Sequence, residues 1–123
     1  MRQLTEDLFR VCCIPFFLYG ISFGDVVRAP ADELGTHVIS EVAENSGHRT
    51  LRVTLRRTTN DEGQRYLIRA SLANSVRALD GSIEFYSEVL MAIDAPTEQS
   101  YARLRDELRR REQALELEYE EGD

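Results

Sequence analysis

The residues best suited to chemistry lie in two turn sequences in the first half of the chain. Asp25 belongs to one turn, and His48 follows the other. A histidine beside a carboxylate can act as a general base, because imidazole gains and loses a proton near neutral pH. If the two turns meet, Tyr19 and Arg49 would complete one concave face. Structural roles explain these residues more simply, since aspartate favours turns and catalysis needs pocket geometry.

A second candidate is the run from residue 12 to residue 27, which holds four of the chain's ten aromatic residues. Aromatic side chains bury the largest apolar area per residue, and glycine permits sharp bends of the backbone. The run is therefore predicted either to anchor a small core or to shape a pocket, and its surplus of aromatic residues makes it the expected place of any binding surface. The candidate binding residues from both features are Phe16, Phe17, Tyr19, Gly20, Phe23, Asp25, His48 and Arg49.

The remaining motifs argue against other chemistries. Cys12 and Cys13 are adjacent, which predicts one buried and one half-exposed thiol, not a redox pair. The two histidines, His37 and His48, lack the spacing of a metal site. Glycine-rich phosphate-binding and nucleophile motifs are absent from the sequence. We therefore expect neither a metal nor a cofactor.

Composition narrows the class of protein and its partners. The chain has 123 residues, a net charge of −7 and 42% hydrophobic residues, which is typical of one globular domain. Negative charge makes nucleic acid an improbable partner. No apolar run is long enough for a membrane span, and the polar start does not resemble a secretory signal. We expect a cytoplasmic protein with no membrane partner.

The first part, residues 1–47, is predicted to be rich in β-structure. A strand should run over residues 8–14 and stop at Pro15. The turn at Gly24-Asp25 should lead into a second strand at Val26-Val27. A third strand is expected over residues 36–44, followed by a hairpin turn at residues 45–47. This part would form a strand-rich extension or a small partial barrel that shares the strand at residues 49–57.

The second part, residues 48–123, has the clearest periodicity. Residues 49–57 alternate, with Leu51, Val53 and Leu55 on one face. Helices are predicted from Gln64 to Leu79, ended by Asp80-Gly81, and from Pro96-Thr97 onward. Their apolar stripes are Ile68, Leu72, Val76 and Leu79 in the first helix, and Tyr101, Leu104, Leu108 and Leu115 in the second. Strands are expected over residues 82–86, 89–94 and 115–120.

The element order after residue 48 is strand, helix, strand, strand, helix, strand. This order predicts an α+β fold of the ferredoxin-like, split βαβ type over about residues 49–120. Its last strand would lie beside its first. Arg52 and Arg56 would then meet Glu116, Glu118 and Glu120 across the strand pair.

Several motifs together carry a family resemblance. Pro-Phe-Phe-Leu-Tyr-Gly at residues 15–20, Gly-Asp-Val-Val at residues 24–27, Ser-Gly-His at residues 46–48 and the closing Tyr-Glu-Glu-Gly at residues 119–122 resemble a bacterial family known as domain of unknown function 4265. The resemblance covers nearly the whole chain. It implies no activity, because none is attached to the family.

Three functions remain open from the sequence. The first is a non-catalytic protein-binding or regulatory module, such as an immunity-type protein that blocks a partner. Its negative charge would speed the capture of a basic partner, and its aromatic residues would be the anchors. The second is a small enzyme with an acid–base site at His48 and Asp25. The third is a homodimer that buries the aromatic run in its interface.

Overall fold

The computed structural model describes residues 1–122. In chain order the elements are β1 (Arg2–Gln3), β2 (Leu8–Arg10), β3 (Val26–Arg28), β4 (Glu41–Glu44), β5 (Arg49–Leu55), α1 (Glu62–Ala78), β6 (Ser82–Phe85), β7 (Leu90–Ala95), α2 (Glu98–Gln113) and β8 (Leu117–Glu121). They form two four-stranded antiparallel sheets, ordered β1-β2-β3-β4 and β6-β7-β5-β8. The predicted mixed α and β class is confirmed. Neither of the helices in the described range is long and apolar enough to cross a membrane.

The second sheet holds the larger core. Leu51, Val53 and Leu55 of β5 are all buried, as the alternation predicts. They pack in one cluster with Leu72 of α1 and Leu104 of α2. Both helices therefore cover the same face of this sheet. The alternate side chains of β5 point to the opposite face, which the helices leave free.

Charged side chains lie opposite each other across β5 and β8. Arg52 lies directly opposite Glu120 in the strand pair, and Arg56 forms an ion pair with Glu118 at 3.3 Å. The predicted meeting of these opposite charges is confirmed for both arginines. Glu116 differs from the prediction, because its carboxylate binds the last turn of α2.

Side-chain caps set the starts of both helices. Asp61 accepts a hydrogen bond from Gln64 N at 2.7 Å, and Gln64 Oε1 accepts one from Asp61 N at 3.1 Å. This capping box starts α1 two residues before the predicted position. Thr97 caps α2 by accepting from Ser100 N at 3.0 Å, at the predicted start.

Both helices end with a left-handed residue that is not glycine. Asp80 has φ 64° and Leu115 has φ 62°. At Leu115 the pattern is a Schellman motif: Leu115 N donates to Glu112 O at 3.0 Å, and Glu116 N donates to Arg111 O at 3.1 Å. The prediction that Leu115 continues the buried stripe or begins the last strand is wrong, since it lies between the two elements and is 54% exposed.

The first sheet has a smaller core of its own. Val11, Ile21 and Val27 are buried together, and Phe9 packs against them. The strand-rich extension is therefore confirmed, but the barrel is not closed and does not share the strand at residues 49–57. Among the described residues, β5 pairs with β7 and β8 alone.

Two predicted strands of the first sheet are shorter than expected. The strand expected over residues 8–14 ends at Arg10, although Val11 N still donates to Asp25 O at 2.9 Å. The strand expected over residues 36–44 is reduced to Glu41–Glu44, and His37 forms only an isolated bridge with Ala31. Short strands suit this sheet, because its core has few apolar side chains to align them.

Candidate binding site

The aromatic run lies across the helix-free face of the second sheet. Ile14 N donates to Glu84 Oε2 of β6 at 3.3 Å, and Gly20 N donates to Gly122 O at 2.7 Å. Between these two points, the Arg52 guanidinium donates to the carbonyl oxygen of Leu18. Residues 14–20 of the run are thus fastened to this part of the structure at both ends and in the middle. Gly20 has φ 75°, a conformation that favours glycine.

Three rings form a cluster on this face, in which Phe16 is half-buried and the other two are exposed. Phe16 and Tyr86 have ring centroids 5.3 Å apart, and Phe17 meets Tyr86 edge to face at 5.2 Å. Phe17 nevertheless stays 66% exposed and Tyr86 63% exposed. We call Phe16, Phe17, Tyr19 and Tyr86 the aromatic surface. Tyr86 is a site residue that the sequence did not mark, although it ends the strand predicted over residues 82–86 and so lies beside a hairpin turn.

A cavity of about 340 Å³ opens beside the aromatic surface. The aromatic run lines it with Phe16, Phe17 and Tyr19, and the sheet lines it with residues that include Arg52, Leu90 and Glu120. A pocket of this size is at the lower end of the range for small ligands. It joins the predicted aromatic residues to side chains of β5, β7 and β8 that the sequence did not mark as a site.

Tyr19 contacts two charged residues of this cavity, Glu120 and Arg52. Its hydroxyl donates to the Glu120 carboxylate, with oxygen distances of 2.9 and 3.0 Å. This hydrogen bond raises the pKa of the Tyr19 phenol. The Tyr19 ring lies 4.8 Å from the Arg52 guanidinium carbon, which is cation–π distance. The ring is 59% exposed, and two charged residues hold it: Glu120 at its hydroxyl and Arg52 over its face.

Arg52 is the least expected member of the site. Only 3% of the residue is exposed, although the sequence predicts an outward-facing strand position. The aromatic run covers it, and its Nε and Nη1 atoms have no hydrogen-bond partner among the described residues. Sequence alone could not reveal this burial, since a segment distant along the chain causes it.

A larger concavity of about 760 Å³ lies on the helical side of the sheet. Leu67 of α1 and Leu115 are on its rim, together with Arg111. The Arg111 guanidinium is already bound to Glu107 at 2.9 Å and to Ser71 at 2.9 Å. The buried cation of this concavity is therefore satisfied by side chains of the protein itself.

The other predicted site residues, Asp25, His48 and Arg49, do not line the cavity. Asp25 is 3% exposed and accepts from Ser22 N at 2.8 Å and from Ser46 N at 2.7 Å. It thereby joins the two predicted turns, which do meet. Gly24 lies against Ser46, because a Cβ atom on Gly24 would be 3.1 Å from the Ser46 Cβ. The Asp25 carboxylate is occupied by backbone amides, a structural role.

His48 has a different carboxylate partner from the one considered in the sequence. Its Nδ1 lies 2.8 Å from Asp94 Oδ2 of β7, and the Phe23 ring packs 5.5 Å from the imidazole. Burial raises the pKa of Asp94, and the hydrogen bond from His48 opposes that shift. The Arg49 guanidinium instead lies 3.8 Å from the Tyr101 ring centre.

The cysteines do not follow the prediction of one buried thiol. Cys12 and Cys13 are both exposed and free. Cys12 Sγ lies 3.4 Å from Arg10 O. The short strand β2 ends before them, so the strict alternation of a strand no longer applies.

The fold and the site define a mixed α and β protein built from two antiparallel sheets. The arrangement is similar to that in a crystal structure of a hypothetical protein from Neisseria gonorrhoeae, with a TM-score of 0.76 and 19% identity over 94% of this chain and 74% of that chain. The sequence profile of domain of unknown function 4265 matches residues 1–119, so the chain belongs to this family. A comparison with curated protein sequences gives no significant match.

Proposed function

We propose that this protein is a non-catalytic protein-binding module and that the aromatic surface is where the partner docks. The observation that carries this proposal is the contact of Phe17 and Tyr86 at 5.2 Å while both rings stay more than half exposed. Folding usually buries such rings. Rings that pack on each other and still face solvent present apolar area to a partner.

The arrangement favours binding because the rings of the aromatic surface are already held in place before a partner binds. The aromatic run is tied to the sheet by hydrogen bonds at Ile14 and Gly20, and Phe16 contacts both Phe17 and Tyr86. Rings fixed in advance lose little conformational freedom when a partner arrives. Aromatic side chains and arginine dominate the energetics of protein interfaces.

The charge of the chain points to a basic partner. The net charge of −7 attracts positively charged proteins at long range and accelerates their association. An immunity-type protein that blocks a partner is one form of this function. A cytoplasmic location and the absence of a membrane partner are part of the same proposal.

We also infer that residues 49–120 have the ferredoxin-like arrangement within a single domain. The order β6-β7-β5-β8 and the antiparallel pairing throughout support it. In that arrangement both helices lie on one face of the sheet. The opposite face is then free to accept the aromatic run, and residues 1–47 act as its support.

The second candidate is the enzyme, with His48 as its base. The observation in its favour is the Nδ1 contact with the buried Asp94, because a carboxylate at Nδ1 can orient an imidazole for proton transfer. Asp94 thus takes the position that the sequence analysis gave to Asp25. His48→Ala that retains full function in the cell would eliminate this candidate.

Affinity capture from a lysate of the source organism tests the proposal. Phe17→Ala should lose captured protein that the wild type retains, and the fold should stay intact because Phe17 is 66% exposed. Tyr66→Ala is the matched control, since Tyr66 is 68% exposed on α1, outside the aromatic surface. Equal capture by wild type and both variants would contradict the proposal.

Light scattering of the purified protein measures its oligomeric state and so distinguishes the homodimer from the binding module. A monomer that loses its partner on Phe17→Ala supports the binding module. A dimer that Phe17→Ala converts to a monomer would mean that the aromatic surface contacts a second copy of this chain, and the proposed partner protein would be refuted.

A further inference from the structure

The cavity beside the aromatic surface is lined by aromatic side chains and by carboxylates of β8. The face of an aromatic ring carries partial negative charge and attracts cations. A carboxylate adds a full negative charge. Both kinds of group therefore favour a positively charged ligand. The residues of these two kinds are Phe16, Phe17 and Tyr19 from the aromatic run, and Glu118 and Glu120 from the sheet.

The arginines on the same face of the sheet are less exposed than the carboxylates they pair with. Arg52 also lines the cavity, but its side chain is 4% exposed, whereas that of Glu120, 3.9 Å away, is 52% exposed. Arg56 and Glu118 pair at 3.3 Å, with side chains that are 28% and 61% exposed. In each pair the carboxylate is the group that faces solvent. An approaching partner therefore meets the negative charges first, which favours a cation over an anion.

The contacts of Arg52 show how a guanidinium fits between a ring and a carboxylate at this site. The Arg52 guanidinium carbon lies 4.8 Å from the Tyr19 ring centre, and Arg52 Nη1 lies 3.9 Å from Glu120 Oε1. One guanidinium thus lies over a ring and near a carboxylate at the same time. Tyr19 and Phe17 are still 59% and 66% exposed. Both side chains therefore keep surface for a second guanidinium that comes from outside the chain.

We propose that the partner protein inserts an arginine side chain into this cavity, where its guanidinium stacks on Phe17 and Tyr19 and donates to the Glu118 carboxylate. This proposal rests on the protein-binding function above and names the residue of the basic partner that enters. Arginine suits both contacts, because its planar guanidinium stacks on rings and pairs with a carboxylate through two parallel hydrogen bonds. Glu118 is the more available acceptor, since both Glu120 oxygens already accept from the Tyr19 hydroxyl. A volume of about 340 Å³ suits a single side chain.

NMR titration of the ¹⁵N-labelled full-length protein with small probes tests this directly. The probes are N-acetyl-arginine methylamide and its uncharged isostere, N-acetyl-citrulline methylamide. The readout is the backbone amide resonances of Thr54, Leu90 and Tyr119, which line the cavity. We expect the arginine probe to bind about threefold or more tightly than the citrulline probe at low salt, and the preference to shrink as salt is added. Equal binding of the two probes, or no shift with either, would overturn the proposal.

A third probe, N-acetyl-lysine methylamide, distinguishes a guanidinium from an ammonium. Both carry one positive charge, but the planar guanidinium alone can stack on a ring and pair with a carboxylate through two donors. We expect the lysine probe to bind more weakly than the arginine probe. A lysine probe that binds as tightly or more tightly would show a general cation site and refute the choice of arginine.

Two variants test the two contacts separately. Glu118→Gln keeps the size of the side chain but removes its charge, so the arginine probe should bind about threefold more weakly while the citrulline probe is unaffected. Phe17→Leu keeps an apolar side chain but removes the ring, and should also weaken the arginine probe about threefold. Both variants should fold, because the two side chains are mostly exposed. Unchanged binding of the arginine probe by both variants would refute the assigned contacts.

Glu41→Gln is the matched control for Glu118→Gln. Glu41 is also an exposed glutamate of a strand, with its side chain 59% exposed and paired with Arg28 at 2.8 Å, but it belongs to β4 of the first sheet. This variant should bind both probes as the wild type does. An equal loss in Glu41→Gln and Glu118→Gln would mean that the overall charge of the chain, and not the cavity, attracts the probe, and the proposal would be refuted.

The outcomes also separate this proposal from the general function. Loss of captured protein on Phe17→Ala, without a preference for the arginine probe over the citrulline probe, would leave the protein-binding function in place and refute the arginine site. A preference for the arginine probe that Glu118→Gln removes, with equal capture by wild type and Phe17→Ala, would support the arginine site and refute the partner protein proposed above.

Discussion

Leu115 provides a test of the backbone at the end of α2. It occupies the left-handed position of a Schellman motif, with φ 62°, where glycine is the usual residue. A residue with a Cβ loses roughly 1 kcal/mol in this conformation. Since the Leu115 side chain is 54% exposed, its packing recovers at most about half of the 1.5–3 kcal/mol of a fully buried leucine. The two effects nearly cancel in Leu115→Gly, so the wild type is a poor reference.

A comparison of Leu115→Gly with Leu115→Ala isolates the backbone term, because both variants lack the leucine side chain. We expect the glycine variant to be more stable by about 1 kcal/mol, or about 4 °C in melting temperature for a domain of this size. Urea denaturation with a constant slope for all variants is the appropriate measurement.

The control is Arg103, an exposed position inside α2. There glycine should be less stable than alanine by about 0.8–1 kcal/mol, because glycine is a poor helix former. The sign of the glycine-minus-alanine difference must therefore reverse between residues 103 and 115. An alanine variant at residue 115 that equals or exceeds the glycine variant in stability would refute the reasoning.

Two further predictions concern the supports of the site. Burial raises the pKa of Asp94, so the folded state holds the proton of this carboxyl more tightly than the unfolded state does. The stability of the fold therefore falls as pH rises from the ordinary pKa of the carboxyl through the raised pKa. Asp94→Asn keeps an acceptor for His48, and its melting temperature relative to that of the wild type should rise as pH increases upward from the ordinary pKa of the carboxyl, whereas a pH-independent difference would contradict this. Gly81→Ala would place a Cβ 2.9 Å from Leu104 Cδ1 and 3.1 Å from the Asp94 carbonyl oxygen, and should cost about 1–3 kcal/mol in urea denaturation. Gly63→Ala, which is uncrowded in α1, should stabilise by up to about 1 kcal/mol, and equal effects at the two glycines would contradict the crowding.

Local signals predicted the second sheet and its helices well. The alternation of Leu51, Val53 and Leu55 identified the central strand, and Asp80-Gly81 identified the end of α1 within a residue. The role of Gly81 was misjudged, since Asp80 takes the left-handed position and Gly81 is needed because other groups approach closely. A helix end can be predicted from local residues, but crowding by α2 and β7 cannot.

The candidate site was predicted only in part, because its partners are distant along the chain. The aromatic run contains Phe16, Phe17 and Tyr19, but Tyr86 joins it from a hairpin seventy residues away from Phe16. His48 was assigned to the acidic residue of the neighbouring turn, whereas β-sheet pairing presents Asp94 instead. A single sequence does not show which residues, distant along the chain, come into contact in the fold.

The sequence by itself determined the class of the fold, the start of α2, the alternation of β5 and the presence of an aromatic run, because each depends on residues close together or on a simple period. The predicted β5–β8 charge pairing followed from the order of the elements. Tertiary structure decided what covers the helix-free face of the sheet. By laying residues 14–20 on that face, it buried Arg52, drew Glu120 toward Tyr19 and created the cavity. Those contacts depend on how two sheets meet, which no local pattern specifies.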